Sequence, residues 1–168
     1  MILKKKVCML GSFSVGKTSL VRRYTEALYQ DQYLTTVGVK VSKKAIRVGD
    51  DDLTMVLWDL AGDDEFQKLR IDYLRGANGY LLVADGTRRA TLDKALDIHA
   101  RVQASPHAAP AVLVVNKADL AVDWEVTPEM LEELHGRGWE PLQSSAKTGD
   151  GVEEAFRALA EMMLGQKK

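Results

Sequence analysis

The fold class that this sequence predicts is a doubly wound α/β domain, a sheet with helices on both faces. Three observations point there. Apolar runs of strand length alternate with segments of helical periodicity along nearly the whole chain. Two of those runs, residues 80–84 and 111–115, are apolar without interruption, as suits parallel strands covered on both faces. The length of 168 residues fits one domain, here taken as 1–168. A domain of that size buries about 70% of the surface its unfolded chain exposes, so it needs no disulfide or metal to fold.

The elements follow in order. Residues 6–10 are a short apolar run stopped by Gly11 and read as a buried strand. Residues 18–28 bring Leu20, Val21, Tyr24 and Leu28 to one helical face. Residues 36–48 and 53–59 are β-rich runs around the turn signal Gly49-Asp50-Asp51-Asp52, and read as a hairpin. The apolar phase of the first run slips between Val41 and Ile46, which leaves open whether a bulge lies there. After the strand at 80–84, residues 91–104 present Leu92, Ala95, Leu96 and Val102 at helical spacing. The strand at 111–115 follows. Thr127-Pro128-Glu129 is a helix start, with an N-cap hydroxyl, proline at the first helical position and an acid in the first turn. Residues 139–143 read as a last short strand, and Val152, Ala155, Phe156, Leu159 and Met163 line one face of a final helix. In such a sheet, ligands are expected in the loops beyond the carboxyl ends of the strands.

Composition excludes several classes. Lysine and arginine number 23 against 24 acidic residues, a net charge of −1, which argues against a nucleic-acid or membrane-surface binder. Cys8 is the single cysteine, so there is neither a disulfide framework nor a cysteine-based zinc site. His99, His107 and His135 are not at metal-ligand spacing. No apolar run approaches the roughly 18 residues that span a bilayer. The start, Met1 to Lys6, lacks the order of a signal peptide, and the end, Gly165 to Lys168, lacks a prenylation cysteine. A cytoplasmic protein without an intrinsic membrane anchor is expected.

The first strand runs into Gly11-Ser12-Phe13-Ser14-Val15-Gly16-Lys17-Thr18, a match to GxxxxGK[ST]. The glycines let several backbone N–H groups point at one phosphate chain, and the following helix adds the positive end of its dipole. Lys17 would reach the β- and γ-phosphates, and the Thr18 hydroxyl would ligate Mg²⁺. This motif implies a nucleoside triphosphate but chooses neither base nor reaction. The base is indicated by Asn116-Lys117-Ala118-Asp119, which follows the strand at 111–115. Guanine offers an N1–H and a 2-amino group side by side, which one acceptor-only carboxylate can take together; adenine offers no such pair. The Lys117 stem can lie along the ring, and Asn116 can tie this loop to the phosphate loop.

With these motifs the sequence resembles a small GTPase of the Ras superfamily, Rab-like in flavour, and its lack of a prenylated tail after the last helix resembles the family's prokaryotic Ras-like members. Trp58-Asp59-Leu60-Ala61-Gly62 resembles WDxAG, Thr35-Thr36-Val37-Gly38-Val39 resembles STIGV, Arg75-Gly76-Ala77 resembles YRGA, and Ser145-Ala146-Lys147 matches SAK. The resemblance covers the chain from Lys6 to about Met163. It implies the P-loop GTPase (G domain) fold: a mostly parallel six-stranded sheet with one antiparallel strand. It also implies GTP/GDP and Mg²⁺ as ligands, with Ser19 added to the phosphate-loop residues of the site. Thr36 would sense the γ-phosphate and complete the metal set with Thr18 and Asp59. Gly62 would be the pivot that meets the γ-phosphate. Tyr29 would stack across the guanine, or else pack on the sheet. Ser145, Ala146 and Lys147 would border the base, Ala146 through its N–H. Protein effectors, an exchange factor and a GTPase-activating protein would dock at switch I and switch II, on a monomer that binds no nucleic acid.

The departures from the family pattern bear on catalysis. The catalytic set implied is Lys17, Gly62 and the residue after it, where the family places glutamine to orient the attacking water. Here that residue is Asp63, followed by Asp64 and Glu65. A carboxylate about 5 Å from a phosphate oxygen meets roughly 3 kcal/mol of repulsion at an effective dielectric near 20, before screening. Asp63 therefore reads as an impediment, as a solvated loop acid, or as a general base in an unusual mechanism. Phe13 stands where the family has a small residue, and either obstructs the γ-phosphate or packs outward near Phe66. Residues 26–35 contain no arginine to stabilise charge in cis. The expected function is a GTP/GDP switch with slow hydrolysis of GTP to GDP and phosphate. The alternatives are a GTP-locked scaffold that hardly hydrolyses and, disfavoured by the guanine motifs, an ATPase or adenylate-type kinase.

Overall fold

The computed structural model of the protein describes residues 2–12, 14–25, 32–34, 39–60 and 71–165. Seven strands form one sheet among them: β1 (Ile2–Gly11), β2 (Gln32–Leu34), β3 (Val39–Val48), β4 (Asp51–Leu60), β5 (Gly79–Asp85), β6 (Ala111–Asn116) and β7 (Leu142–Gln143). The helices are α1 (Lys17–Tyr24), α2 (Arg89–Gln103), α3 (Pro128–Gly136) and α4 (Val152–Met163). The sheet order is β2-β3-β4-β1-β5-β6-β7. β4, β1, β5, β6 and β7 pair in parallel, and β3 runs against them. These are the six expected strands with the one antiparallel member. The addition is β2, a three-residue strand at the edge, antiparallel to β3.

Alternation along each central strand feeds two hydrophobic layers. Val7, Met9, Leu81, Val83, Val112 and Val114 point to the layer covered by α1 and α4. Cys8, Leu82, Ala84, Leu113 and Val115 point to the layer covered by α2 and α3. In the first layer the rings of Tyr24 on α1 and Phe156 on α4 stack at 4.0 Å, 4° from parallel. The helix start at Thr127 forms as expected: its hydroxyl accepts from Met130 N–H at 3.2 Å.

Three expected boundaries differ, each for a local reason, and the open question in β3 is answered by its pairing. β1 starts at Ile2 rather than Lys6, because its first half pairs with β4 while lying only partly covered, so it lacks a continuous apolar signal. α1 ends at Tyr24, with Thr25 as its C-cap and the Thr25 hydroxyl donating to Val21 O; Leu28 lies outside the described residues. β7 holds only Leu142 and Gln143. Pro141 has no N–H for a ladder, and the Trp139 N–H is spent on Leu134 O at the end of α3. The phase slip in β3 is not a bulge, since its pairing with β4 is unbroken from Val39↔Leu60 to Val48↔Asp51. Val39 and Val41 join the layer of α2, while Ile46 and Val48 join that of α1 and α4. The covered face changes along the strand, and the apolar phase changes with it.

The chain enters the sheet at β1, builds β2 to β4 on one side, and crosses to β5 on the other. The carboxyl end of β1 is thus the topological switch point, where a crevice opens.

Candidate functional site

Four loops meet at the carboxyl ends of the parallel strands. The first leaves β1 at Gly11, where a Cβ would lie 2.4 Å from Val83 O on the neighbouring strand. The chain then turns through left-handed Ser14 (φ 64) and Gly16 (φ 106) into α1. A Cβ on Gly16 would sit 2.2 Å from the amide nitrogen of Asn116, so the loop packs directly on the next element of the site. Ser12 is half-buried, Val15 is in the core, and Ser14 and Ser19 are exposed. The Lys17 side chain is buried and curls back to donate from Nζ to Gly11 O at 2.9 Å. This fold keeps the cation inside the concavity of the loop.

At the start of α1 the Thr18 hydroxyl donates to Oδ2 of Asp59 at the end of β4. Asp59 is 2% exposed. Two oxygen ligands, one from the first turn of α1 and one from the end of β4, thus face each other beside the helix N-terminus. Oxygen donors and a partial positive dipole suit a hard divalent cation and a phosphate chain respectively, and the residues present fit both. Among the described residues no group of three or more His, Cys, Asp or Glu is gathered to hold a metal alone. A Mg²⁺ site commonly takes one or two protein carboxylates and leaves the rest to phosphate and water, and Asp59 with the Thr18 hydroxyl fits that donor set.

Asn116 is the hub of the other half. Only 2% exposed, it donates from Nδ2 to Val15 O at 3.0 Å. Its Oδ1 accepts from the Ser144 hydroxyl at 3.0 Å and from Ala146 N–H at 3.3 Å. One carboxamide therefore joins the glycine-rich loop to the loop that follows β7. Lys117 adopts φ 74, and its Nζ donates to Ser14 O at 3.0 Å. Asp119 accepts at Oδ1 from the Ser145 hydroxyl at 2.7 Å. Gly16, Asn116, Lys117, Asp119, Ala146 and Lys147 line a cavity of about 460 Å³, large enough for a planar base.

Asp85 closes the network from the end of β5. Its side chain is 1% exposed, and it takes contacts from Thr87 N–H, the Thr87 hydroxyl, Arg88 Nε and Lys117 Nζ at 2.7–3.1 Å. Burial alone would raise the carboxyl pKa; the hydrogen bonds from Thr87, Arg88 and Lys117 outweigh it and lower it to about 2.

Of the residues expected from sequence, the structure brings together Gly11, Ser12, Ser14, Val15, Gly16, Lys17, Thr18, Ser19, Asp59, Asn116, Lys117, Asp119, Ser145, Ala146 and Lys147. Phe13, Tyr29, Thr36, Gly62 and Asp63 lie outside the described residues. Sequence reading missed Asp85 and Ser144. Asp85 carried a usable signal, an acid ending a continuous apolar strand at the ligand-facing edge. Ser144 carried none beyond its place before the SAK motif.

Among the described residues no helix is long and apolar enough to cross a membrane. The Ras family model matches residues 6–165. The chain is 34% identical to the Ras-related protein Rab-32 of Mus musculus, over 97% of this chain and 77% of that protein. It is 36% identical to the Ypt/Rab-type GTPase YPT7 of Saccharomyces cerevisiae, covering 96% and 82% respectively. Against Ras-related protein Rab-17 of Mus musculus it is 37% identical, covering 95% and 75%. A sheet with its switch point at a GxxxxGK[ST] loop, a cavity lined by Asn116, Lys117 and Asp119 beside it, and these relatives lead to one assignment: the chain belongs to the Ras family, as a Rab-like, GTP-binding small GTPase.

Proposed function

We propose that this GTPase is a GTP/GDP switch with slow intrinsic hydrolysis that signals to a protein effector through the segments around Thr36 and Asp63. The observation that carries the nucleotide reading is the Asn116 carboxamide, which locks the phosphate side and the base side into one frame. Within that frame the backbone N–H groups of residues 11–18 and the Lys17 ammonium bind the phosphates. Asp119 accepts from guanine N1–H and the 2-amino group, Lys117, Lys147 and Tyr29 flank the ring, and Ala146 N–H faces the base oxygen. Thr18, Asp59 and Thr36 would hold Mg²⁺. When bound, that ion neutralises phosphate charge and orients the phosphate oxygens. Gly62 is the pivot, and Asp63 stands where a neutral amide would position water. An effector face is supported by Trp58, half-buried on the sheet, with Lys6 Nζ 3.7 Å from its ring centroid and Tyr73 set edge-on at 6.3 Å.

Single-turnover hydrolysis, read beside the nucleotide carried by the purified protein, tests this. The expected result is slow conversion of bound GTP, a modest rise in Asp63→Gln, and a response to an arginine-supplying activator only when Phe13→Gly is combined with Asp63→Gln. A rate cut of about tenfold or more in Asp63→Ala would make Asp63 catalytic instead, with a full general-base loss expected at about 10²–10⁴-fold. Purified protein that holds GTP and never converts it would point to the locked scaffold.

A further inference from the structure

Arg23 stands on the exposed side of α1, the helix that begins at the glycine-rich loop. Its guanidinium reaches the loop after β7, donating from Nη1 to Lys147 O at 3.1 Å and from Nη2 to Thr148 O at 2.9 Å. A planar fork that meets two successive carbonyls is a geometry an ammonium cannot copy. The loop is shaped to receive it. Gly149 has φ 94, and a Cβ there would lie 2.6 Å from Arg23 Nη2.

The loop also closes on Ser145. Gly149 N–H donates to Ser145 O at 2.8 Å, and Thr148 N–H donates to the Ser145 hydroxyl oxygen at 3.0 Å. That hydroxyl in turn donates to Asp119 Oδ1 at 2.7 Å. A continuous chain of hydrogen bonds therefore runs from α1 through Arg23 and residues 145–149 to the carboxylate that faces the base pocket. Asn116 links the two halves of the site from within; Arg23 links them from the solvent side.

We propose that Arg23 is a positioning residue for base selection: by clasping residues 147 and 148 it holds Ser145 against Asp119 and so sets discrimination for the guanine 2-amino group. The proposal rests on the nucleotide reading above. Arg23 acts through the loop and does not itself line the base cavity.

The test measures GDP, ADP and inosine diphosphate, which lacks the 2-amino group, in competition with a fluorescent GDP analogue in Mg²⁺ buffer. Wild type, Arg23→Lys and Arg23→Ala are compared, with thermal unfolding of each nucleotide-loaded protein alongside. Arg23→Ala is expected to weaken GDP roughly five- to tenfold, the scale of losing charge-assisted hydrogen bonds at an exposed site. Inosine diphosphate should weaken clearly less, so the ratio of the two affinities narrows, with Arg23→Lys in between and unfolding little changed. Equal losses for both nucleotides, or an unchanged ratio, would overturn the proposal by giving Arg23 a general structural role or none. A wild type that fails to prefer GDP to ADP would remove the nucleotide reading itself, which a guanine-selective wild type with an indifferent Arg23→Ala would leave standing.

Discussion

The Lys117 ammonium sits 3.1 Å from the buried carboxylate of Asp85 while it donates to Ser14 O at 3.0 Å. A residue of the Asn116–Asp119 loop is thereby held between a buried acid at the end of β5 and the backbone of the glycine-rich loop. The same acid also takes two contacts from Thr87 and one from Arg88, so it anchors the turn after β5 as well.

That arrangement makes Asp85 a source of pH-dependent stability. Its carboxyl titrates at about 2 in the folded protein, against an ordinary 3.8. The stabilisation is present in full above about pH 4 and is lost as the pH falls toward about 2, because the unfolded chain takes up the proton first. The gap corresponds to roughly 2 kcal/mol. Asp85→Asn should remove that part of the acid limb in urea unfolding measured from about pH 6 down to about pH 2.5. An acid limb of the same steepness in the variant would refute the assignment.

Guanine selection should rest on Asp119. Asp119→Asn swaps an acceptor-only group for one with a donor edge, which faces the guanine N1–H and amino donors badly. GDP affinity should fall by about 1–3 kcal/mol, the scale of an unpaired buried polar group, while xanthosine diphosphate binds better than to the wild type. Competition binding with the two nucleotides checks this, and unaltered preference for GDP would sink it.

Metal dependence should pass through Thr18. Chelation of Mg²⁺ is expected to speed GDP release from the wild type roughly tenfold or more, since the ion is the largest local charge opposing the phosphates. Thr18→Ala should release GDP fast whether or not Mg²⁺ is present. Stopped-flow release with and without chelator measures both, and a Thr18→Ala protein with full Mg²⁺ dependence would contradict the role.

The stacked pair in the α1–α4 layer should dominate local stability. Phe156 is fully buried against Tyr24, so Phe156→Ala should cost about 3–5 kcal/mol, by lost burial and by the cavity left behind. Glu154→Ala, on the exposed face of the same helix, should change stability by less than about 0.5 kcal/mol. Denaturant unfolding of both variants is the check, and near-equal midpoints would mean the layer is not packed as described.

Sequence carried the fold where burial was complete on both faces, and lost it where burial was partial. Residues 80–84 and 111–115 announced themselves, whereas Ile2 to Lys5 and β2 pair through backbone and leave little apolar trace. The site was legible where a motif fixes backbone shape, as at Gly11, Gly16 and Asn116. It was not legible where a role depends on distant chain segments meeting. Arg23 reads as an ordinary polar-face residue of a helix, and only the fold brings it to carbonyls 124 and 125 positions away. Asp85 similarly gains its meaning from Lys117 and Arg88.

The exchange of covered face along β3 makes the edge hairpin intolerant of sliding. In a strand with one covered face, a one-residue slip turns a single apolar set out to water. In β3 the same slip would turn Val39 and Val41 away from the α2 layer and, at once, Ile46 and Val48 away from the α1–α4 layer. Neither one-residue shift satisfies even one layer, so the hairpin that leads into Asp59 is held doubly against such a slip. The carboxylate facing Thr18 is thus kept at its height along β4 by two independent cores.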